Sequence, residues 1–149
     1  MSDEVLETHK ISEVPRALVP MVWGQVSALF QPSVDLSDGE CSLDAALKRI
    51  MSGEHKLIVV VRGDLVTFAH TVEVITYETG QRELSIPLSG WNGELDSLKE
   101  IFMPSISELA KINNCTSIVM QSARAGWARK LKPYGWTPVR EILKFRVGE

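Results

Sequence analysis

The spacing of apolar residues changes period along the chain, and each change marks a new element. Met21, Val22, Val26, Leu29 and Phe30 recur at helical spacing behind Pro15 and Pro20, each of which suits a first helical turn; Pro32 sets the expected end of this helix. A polar stretch from 31 to 39 leads to a second helix. Ser42 is its expected N-cap, Asp44 complements the positive end of the helix dipole, and the stripe Leu43, Leu47, Ile50 and Met51 stops at Gly53. Residues 1–12 show no strong period and read as a flexible or edge segment.

From Lys56 the period shortens. KLIVVVR is a nearly continuous β-branched run, Gly63-Asp64 predicts a tight hairpin turn, and Leu65–Tyr77 is a long extended stretch rich in Val, Thr and Ile. A turn around Gly80 leads to the alternation RELSIPL over Arg82–Leu88, a third antiparallel strand whose pairing should open near Pro87, which has no N–H to donate. Ser89–Gly93 reads as a glycine-containing loop. Helical spacing returns over 95–112 through Leu98, Ile101, Phe102, Ile106, Leu109 and Ala110, with Pro104 expected to kink or restart the helix. TSIVMQ is then a strand, Ala123–Lys132 a short basic helix that breaks at Pro133-Tyr134-Gly135, and Thr137–Val147 a final strand. Hairpin-joined strands followed by strands separated by helices imply an α/β (α+β) chain with a mixed central sheet and helices on both faces.

Composition narrows the picture. A chain of 149 residues with 44% hydrophobic and 23% charged residues suits one compact domain, 1–149, able to bury a core without disulfides or metal. No apolar run reaches the roughly 20 residues a bilayer demands, and the acidic start MSDEVLETHK lacks the apolar region of a secretion signal, so a cytoplasmic protein without membrane partners is expected. Cys41 and Cys115 belong to no CxxC pattern, and His9, His55 and His70 fall in no ligand spacing, so no metal site is expected.

The net charge is −3, yet Arg124, Arg129, Lys130, Lys132, Arg140, Lys144 and Arg146 crowd the last quarter of the chain. This surplus reads either as a phosphate-facing surface or as a solvated face. Trp91, Trp127 and Trp136 could line one groove with Arg124 and Arg129, or be core. A nucleic-acid module is the less favoured partner reading.

The element order, the glycine segment ahead of the long helix, and SARAGWARKLKPYGW with its Gly135-Trp136 ending resemble the GNAT superfamily of acyl-coenzyme-A-dependent N-acetyltransferases over roughly residues 15–147. The form Arg124-Ala-Gly-Trp127, Leu131 and Gly135-Trp136 is similar to the small GNAT-like proteins of tailed phages, some of them virion-associated. The resemblance implies a GNAT-like, mostly antiparallel sheet, acetyl-CoA as acyl donor and an amine acceptor. It implies a cofactor segment at Leu88, Ser89, Gly90, Trp91, Asn92 and Gly93, flanked by Arg124 and Trp127. Of the superfamily's phosphate-loop pattern Gly90 matches, while Pro87 and Asn92 depart from it.

Catalysis of this type calls for a base, with Glu83 and Glu73 on the hairpin strands as candidates, and for an acid on the departing thiolate. The superfamily's acid stands four residues before the final-helix glycine; here that position is Leu131, and Tyr134 is the nearby hydroxyl. The alternative implied is a non-catalytic GNAT-fold protein of a phage, binding a virion or host partner.

Overall fold

The structure, a computed structural model, describes residues 9–93, 98–121 and 125–148. Six strands form one sheet: β1 (Lys10–Glu13), β2 (Lys56–Arg62), β3 (Leu65–Thr76), β4 (Arg82–Ile86), β5 (Ser89–Trp91) and β6 (Ser117–Met120). Four helices accompany them: α1 (Val19–Leu36), α2 (Leu43–Ser52), α3 (Leu98–Ile112) and α4 (Ala125–Leu131). The strand order is β1-β2-β3-β4-β6, with β5 also on β3. Every pairing is antiparallel except β4 with β6, which is parallel. The expected mixed, mostly antiparallel sheet with helices on both faces is present.

The alternation along β2 explains the two layers. Leu57 and Val59 face one side, where α1 and α2 supply Val26, Phe30, Ala46 and Ile50. Ile58 and Val60 face the other, where α3 and α4 supply Phe102, Ile106, Ala110 and Leu131. Strands buried on both faces read as unbroken apolar runs, as KLIVVVR does. Ser42 caps α2 as expected, its Oγ accepting from the Ala45 N–H at 3.1 Å.

Three boundaries differ from expectation, and one segment meets it. α1 does not stop before Pro32 but runs through it to Leu36. Pro32 and Ala28, whose carbonyl loses its donor, are both exposed, so the missing bond is on the solvent side of the helix. Lys10–Glu13, expected to be flexible or an edge, is an edge strand paired with β2, while residues 1–8 lie outside the described residues. Ser89–Trp91 is not loop but strand.

The remaining difference is the largest. The expected last strand, Thr137–Val147, pairs with nothing in the sheet and runs exposed. Its basic side chains reach Glu83, Tyr77 and Asp38 instead. A period-two pattern predicts extended backbone but cannot choose a neighbour for it.

Candidate functional site

Pro87 divides one long strand into two unlike halves. Glu73 pairs with Ser85 on β4, but His70 pairs with Ser89 on β5, so one extra residue is accommodated between them. This is a bulge at the residue that cannot donate to the ladder. Before it, β4 is flanked on both sides, with Glu83–Ile86 facing Ser117–Met120 of β6 in parallel register. Beyond it the β6 ladder lapses, the last link being Gln121 N–H to the Ile86 carbonyl at 3.4 Å. β5 pairs with β3 alone.

The hydrogen bonds fix which way β5 points. Thr71 N–H donates to the Leu88 carbonyl at 2.9 Å and Asn92 N–H to the Thr67 carbonyl at 3.1 Å. By antiparallel alternation the backbone groups of Ser89 and Trp91 then face away from β3, into the wedge opened beside β6. Of these, the Ser89 carbonyl accepts from Ser33 Oγ of α1 at 2.9 Å.

Gly90 answers to a packing demand. A Cβ there would lie 2.0 Å from the Leu29 carbonyl oxygen, so α1 crosses β5 at a distance that admits no side chain. Trp91 closes the other side. Lys130 Nζ of α4 sits 3.6 Å from its ring centroid and 5.9 Å from that of Trp127, a cation stacked on aromatic faces. The buried Trp91 indole N–H has no hydrogen-bond partner among the described residues. Trp127 packs on Phe68 at 5.8 Å between centroids, and Trp136 packs on Phe102 and directs its indole N–H at Met103 Sδ, 3.2 Å away. The three tryptophans thus belong to the edge of the α3–α4 core, and Trp91 and Trp127 share one cation. Leu88 is buried, Asn92 and Gly93 are exposed, and Arg124 lies outside the described residues.

The two candidate bases have different settings. Glu83 is 8% exposed. Tyr77 hydroxyl donates to it at 2.7 Å and Ser117 Oγ at 3.1 Å, with the Arg140 guanidinium 3.7 Å away. The hairpin puts Tyr77 diagonal to Glu83 on one face, because Ile75 is the direct partner of Glu83. That much could have been read from the turn at Gly80; Ser117 and Arg140 could not. Glu73 meets His55 Nε2 at 3.2 Å instead, and Glu54, His55 and Glu73 bring three ligand-type atoms within 4.8 Å of one another. Histidine spacing along the chain gave no sign of this group.

Leu131, at the position of the superfamily's acid, is 3% exposed and part of the core. Tyr134 follows in a 3-10 turn and is half-exposed. His70, opposite Ser89, is fully buried against Phe68 and Phe102. Its Nδ1 lies 3.1 Å from the Thr71 carbonyl, and burial drives its pKa down from 6.5 to about 4, partly offset by that carbonyl.

An outward strand edge, an indole N–H with no partner among the described residues and a stacked lysine meet here, groups that could hold an amide-rich chain. Residues 94–97, which follow the expected cofactor segment, lie outside the described residues.

By sequence alone no protein-family model and no curated protein matches the chain. Solved structures match it closely in shape. An aminoglycoside acetyltransferase from an uncultured soil metagenomic sample, in complex with trehalose, aligns with TM-score 0.71 at 10% identity, over 96% of this chain and 97% of that one. A GCN5-related N-acetyltransferase from Ralstonia eutropha aligns at 0.67 with 15% identity over 94% and 99%. A predicted acetyltransferase from Clostridium acetobutylicum, solved with acetyl-CoA, aligns at 0.68 with 11% identity over 93% and 96%. The chain therefore has the fold of the GNAT acetyltransferases. Among the described residues no helix is long and apolar enough to cross a membrane.

Proposed function

We propose that this protein is an N-acetyltransferase-like member of the GNAT superfamily that takes acetyl-CoA as donor and an amine as acceptor. The observation carrying the proposal is the one-sided pairing of β5 after the Pro87 bulge: it leaves backbone donors and acceptors aimed into a wedge, in a fold shared with acetyltransferases. In this reading Ser89 and Trp91 hold the pantetheine arm, Gly90 sets their distance from α1, and Trp127 and Lys130 close the site. Asn92, Gly93 and Arg124 extend toward the phosphates.

Glu83 stands three residues before the point where the ladder opens, on the order of 10 Å at strand spacing. It takes the amine proton through water. Acetyl-CoA held by Ser89 and Trp91 would supply a thioester, whose carbon–sulfur bond would break as the amine nitrogen bonds to the acyl carbon, the sulfur departing as thiolate. Leu131 offers that thiolate no proton, so Tyr134 or solvent provides it. Positioning two reactants in one site supplies much of the rate even without an acid.

The test is calorimetry with acetyl-CoA together with an assay of coenzyme A release on a panel of amines. Binding accompanied by acyl transfer supports the proposal; absence of heat and of thermal stabilisation at millimolar acetyl-CoA rejects it, since a ligand of the native state must raise stability.

A second reading draws on Leu131, whose burial places a hydrocarbon where chemistry would want an acid. It is a phage or prophage protein that keeps the fold and has lost the reaction, binding a virion or host partner. Tight acetyl-CoA binding with no turnover on any amine would favour it.

A further inference from the structure

On the α1–α2 side of the sheet, opposite to Trp91, the fold gathers a histidine and two glutamates that acyl transfer through Glu83 leaves unused. His55 stands directly before β2. Continuing the antiparallel register Lys56↔Val72 by one residue sets it opposite Glu73, and alternation turns its side chain the way of Leu57 and Val59. There it shares a small pocket with Ile50 of α2. The histidine is 6% exposed, and its Nε2 lies 3.2 Å from Glu73 Oε2. Glu54, its exposed chain neighbour, completes the group, all three ligand atoms lying within 4.8 Å of one another. The end of α2 fixes both turn residues: His55 N–H donates to the Arg49 carbonyl at 3.0 Å and Glu54 N–H to Ser52 Oγ at 3.3 Å.

These separations match those inside a metal's coordination shell. Ligands about 2.1 Å from a tetrahedral ion stand on the order of 3.4 Å apart, and around an octahedral one about 3.0 Å. The 3.2 Å between His55 and Glu73 already falls in that range. Glu54, on an exposed side chain, has no more than about 1.5 Å to close. Charge points the same way. Two carboxylates held this close repel, and Arg49, 4.0 Å from Glu54, is itself half exposed. A hydrogen bond explains the meeting of His55 with Glu73; a shared cation explains why a second carboxylate joins them.

We propose that Glu54, His55 and Glu73 bind one divalent cation of the zinc class, which clips the turn after α2 to β3. An imidazole nitrogen with carboxylate oxygens is a donor set for zinc and its neighbours, whereas magnesium favours oxygen alone and keeps much of its water. Three protein ligands leave a fourth position to water. The ligands include none of the residues assigned to acetyl-CoA or to acyl transfer, so the site stands independently of that reading.

Zinc chloride titrated into the full chain, followed by calorimetry and by the imidazole NMR signals of the three histidines, tests this. One ion per chain is expected, moving the signals of His55 and leaving those of His9 and His70 in place, with no such shift from magnesium chloride at equal concentration. Glu54→Gln, an exposed change that leaves the core alone, should weaken zinc binding at least about tenfold, as should Glu73→Gln. Zinc should also raise the Tm of the native chain and not that of His55→Gln. No heat with zinc, movement of another histidine in place of His55, an equal response to magnesium, or undiminished binding in either glutamate variant overturns the proposal. Should His55→Gln misfold, the native-chain signals and Glu54→Gln decide without it.

Discussion

β4 and β5 are one strand in sequence and two environments in space. Glu83–Ser85 is held from both sides by ladders, and its one carboxylate is surrounded by donors. Ser89–Trp91 is held from one side by β3, and from across the sheet by a helix that touches Gly90. Pro87, unable to donate a hydrogen bond, and Leu88 separate them. The difference shows how a sheet makes an open edge without a cavity: it stops pairing on one side while its other contacts keep the strand in place.

The largest effect expected on this contrast comes from Gly90→Val. Its Cβ would overlap the Leu29 carbonyl at 2.0 Å, so α1 must lift. The loss should be about 3 kcal/mol, seen as a fall in Tm on the order of 10 °C; a fall of a degree or two would show that β5 is not fixed by α1. Next is the pH dependence carried by His70, beneath β5. The folded ring stays neutral to about pH 4, whereas unfolded histidine protonates near 6.5. Between those values the unfolded chain binds the extra proton, so this contribution is intact above pH 6.5 and about 3 kcal/mol is lost as pH falls to 4. Denaturant titrations at both pH values should show that loss in the native chain and flatten it in His70→Leu; equal slopes would contradict the buried setting.

Smaller effects probe the two halves separately. Glu83→Gln should slow acyl transfer by about 100-fold while leaving acetyl-CoA affinity within about twofold, and Glu73→Gln, which loses only its bond to His55, should leave the rate nearly unchanged. The reverse ranking would move the base to β3. Smallest is the stacked cation: Trp91→Ala should weaken acetyl-CoA binding by about fivefold and Lys130→Gln by about threefold, measured by calorimetry, with Glu83-dependent chemistry otherwise intact.

Much of this arrangement was legible in residue order. The change from helical to alternating period at Lys56, the hairpin at Gly63-Asp64 and the Ser42 cap are local signals, and local geometry obeyed them. Pro87 announced the break in pairing. What it could not announce was that pairing resumes with β3 one residue out of register, because a bulge is chosen by the partner strand. Gly90 resembled part of a phosphate loop, but the neighbour that requires a glycine there is Leu29, sixty-one positions earlier in the chain. The network around Glu83 likewise depends on Ser117 and Arg140, distant in sequence. The tail was misassigned for a related reason: alternation fixed its extended form, while the charges that steer it find Asp38 and Glu83 only in three dimensions.

The central claim is that β5 presents its outer edge to the arm of acetyl-CoA. Amide hydrogen exchange resolved to single residues tests it most directly, with and without saturating acetyl-CoA. Leu84 and Ser85, paired on both sides, should exchange slowly in either state, while Ser89 and Trp91 should slow by at least about tenfold only when acetyl-CoA is present. Unchanged exchange at Ser89 and Trp91 under saturating acetyl-CoA would contradict it.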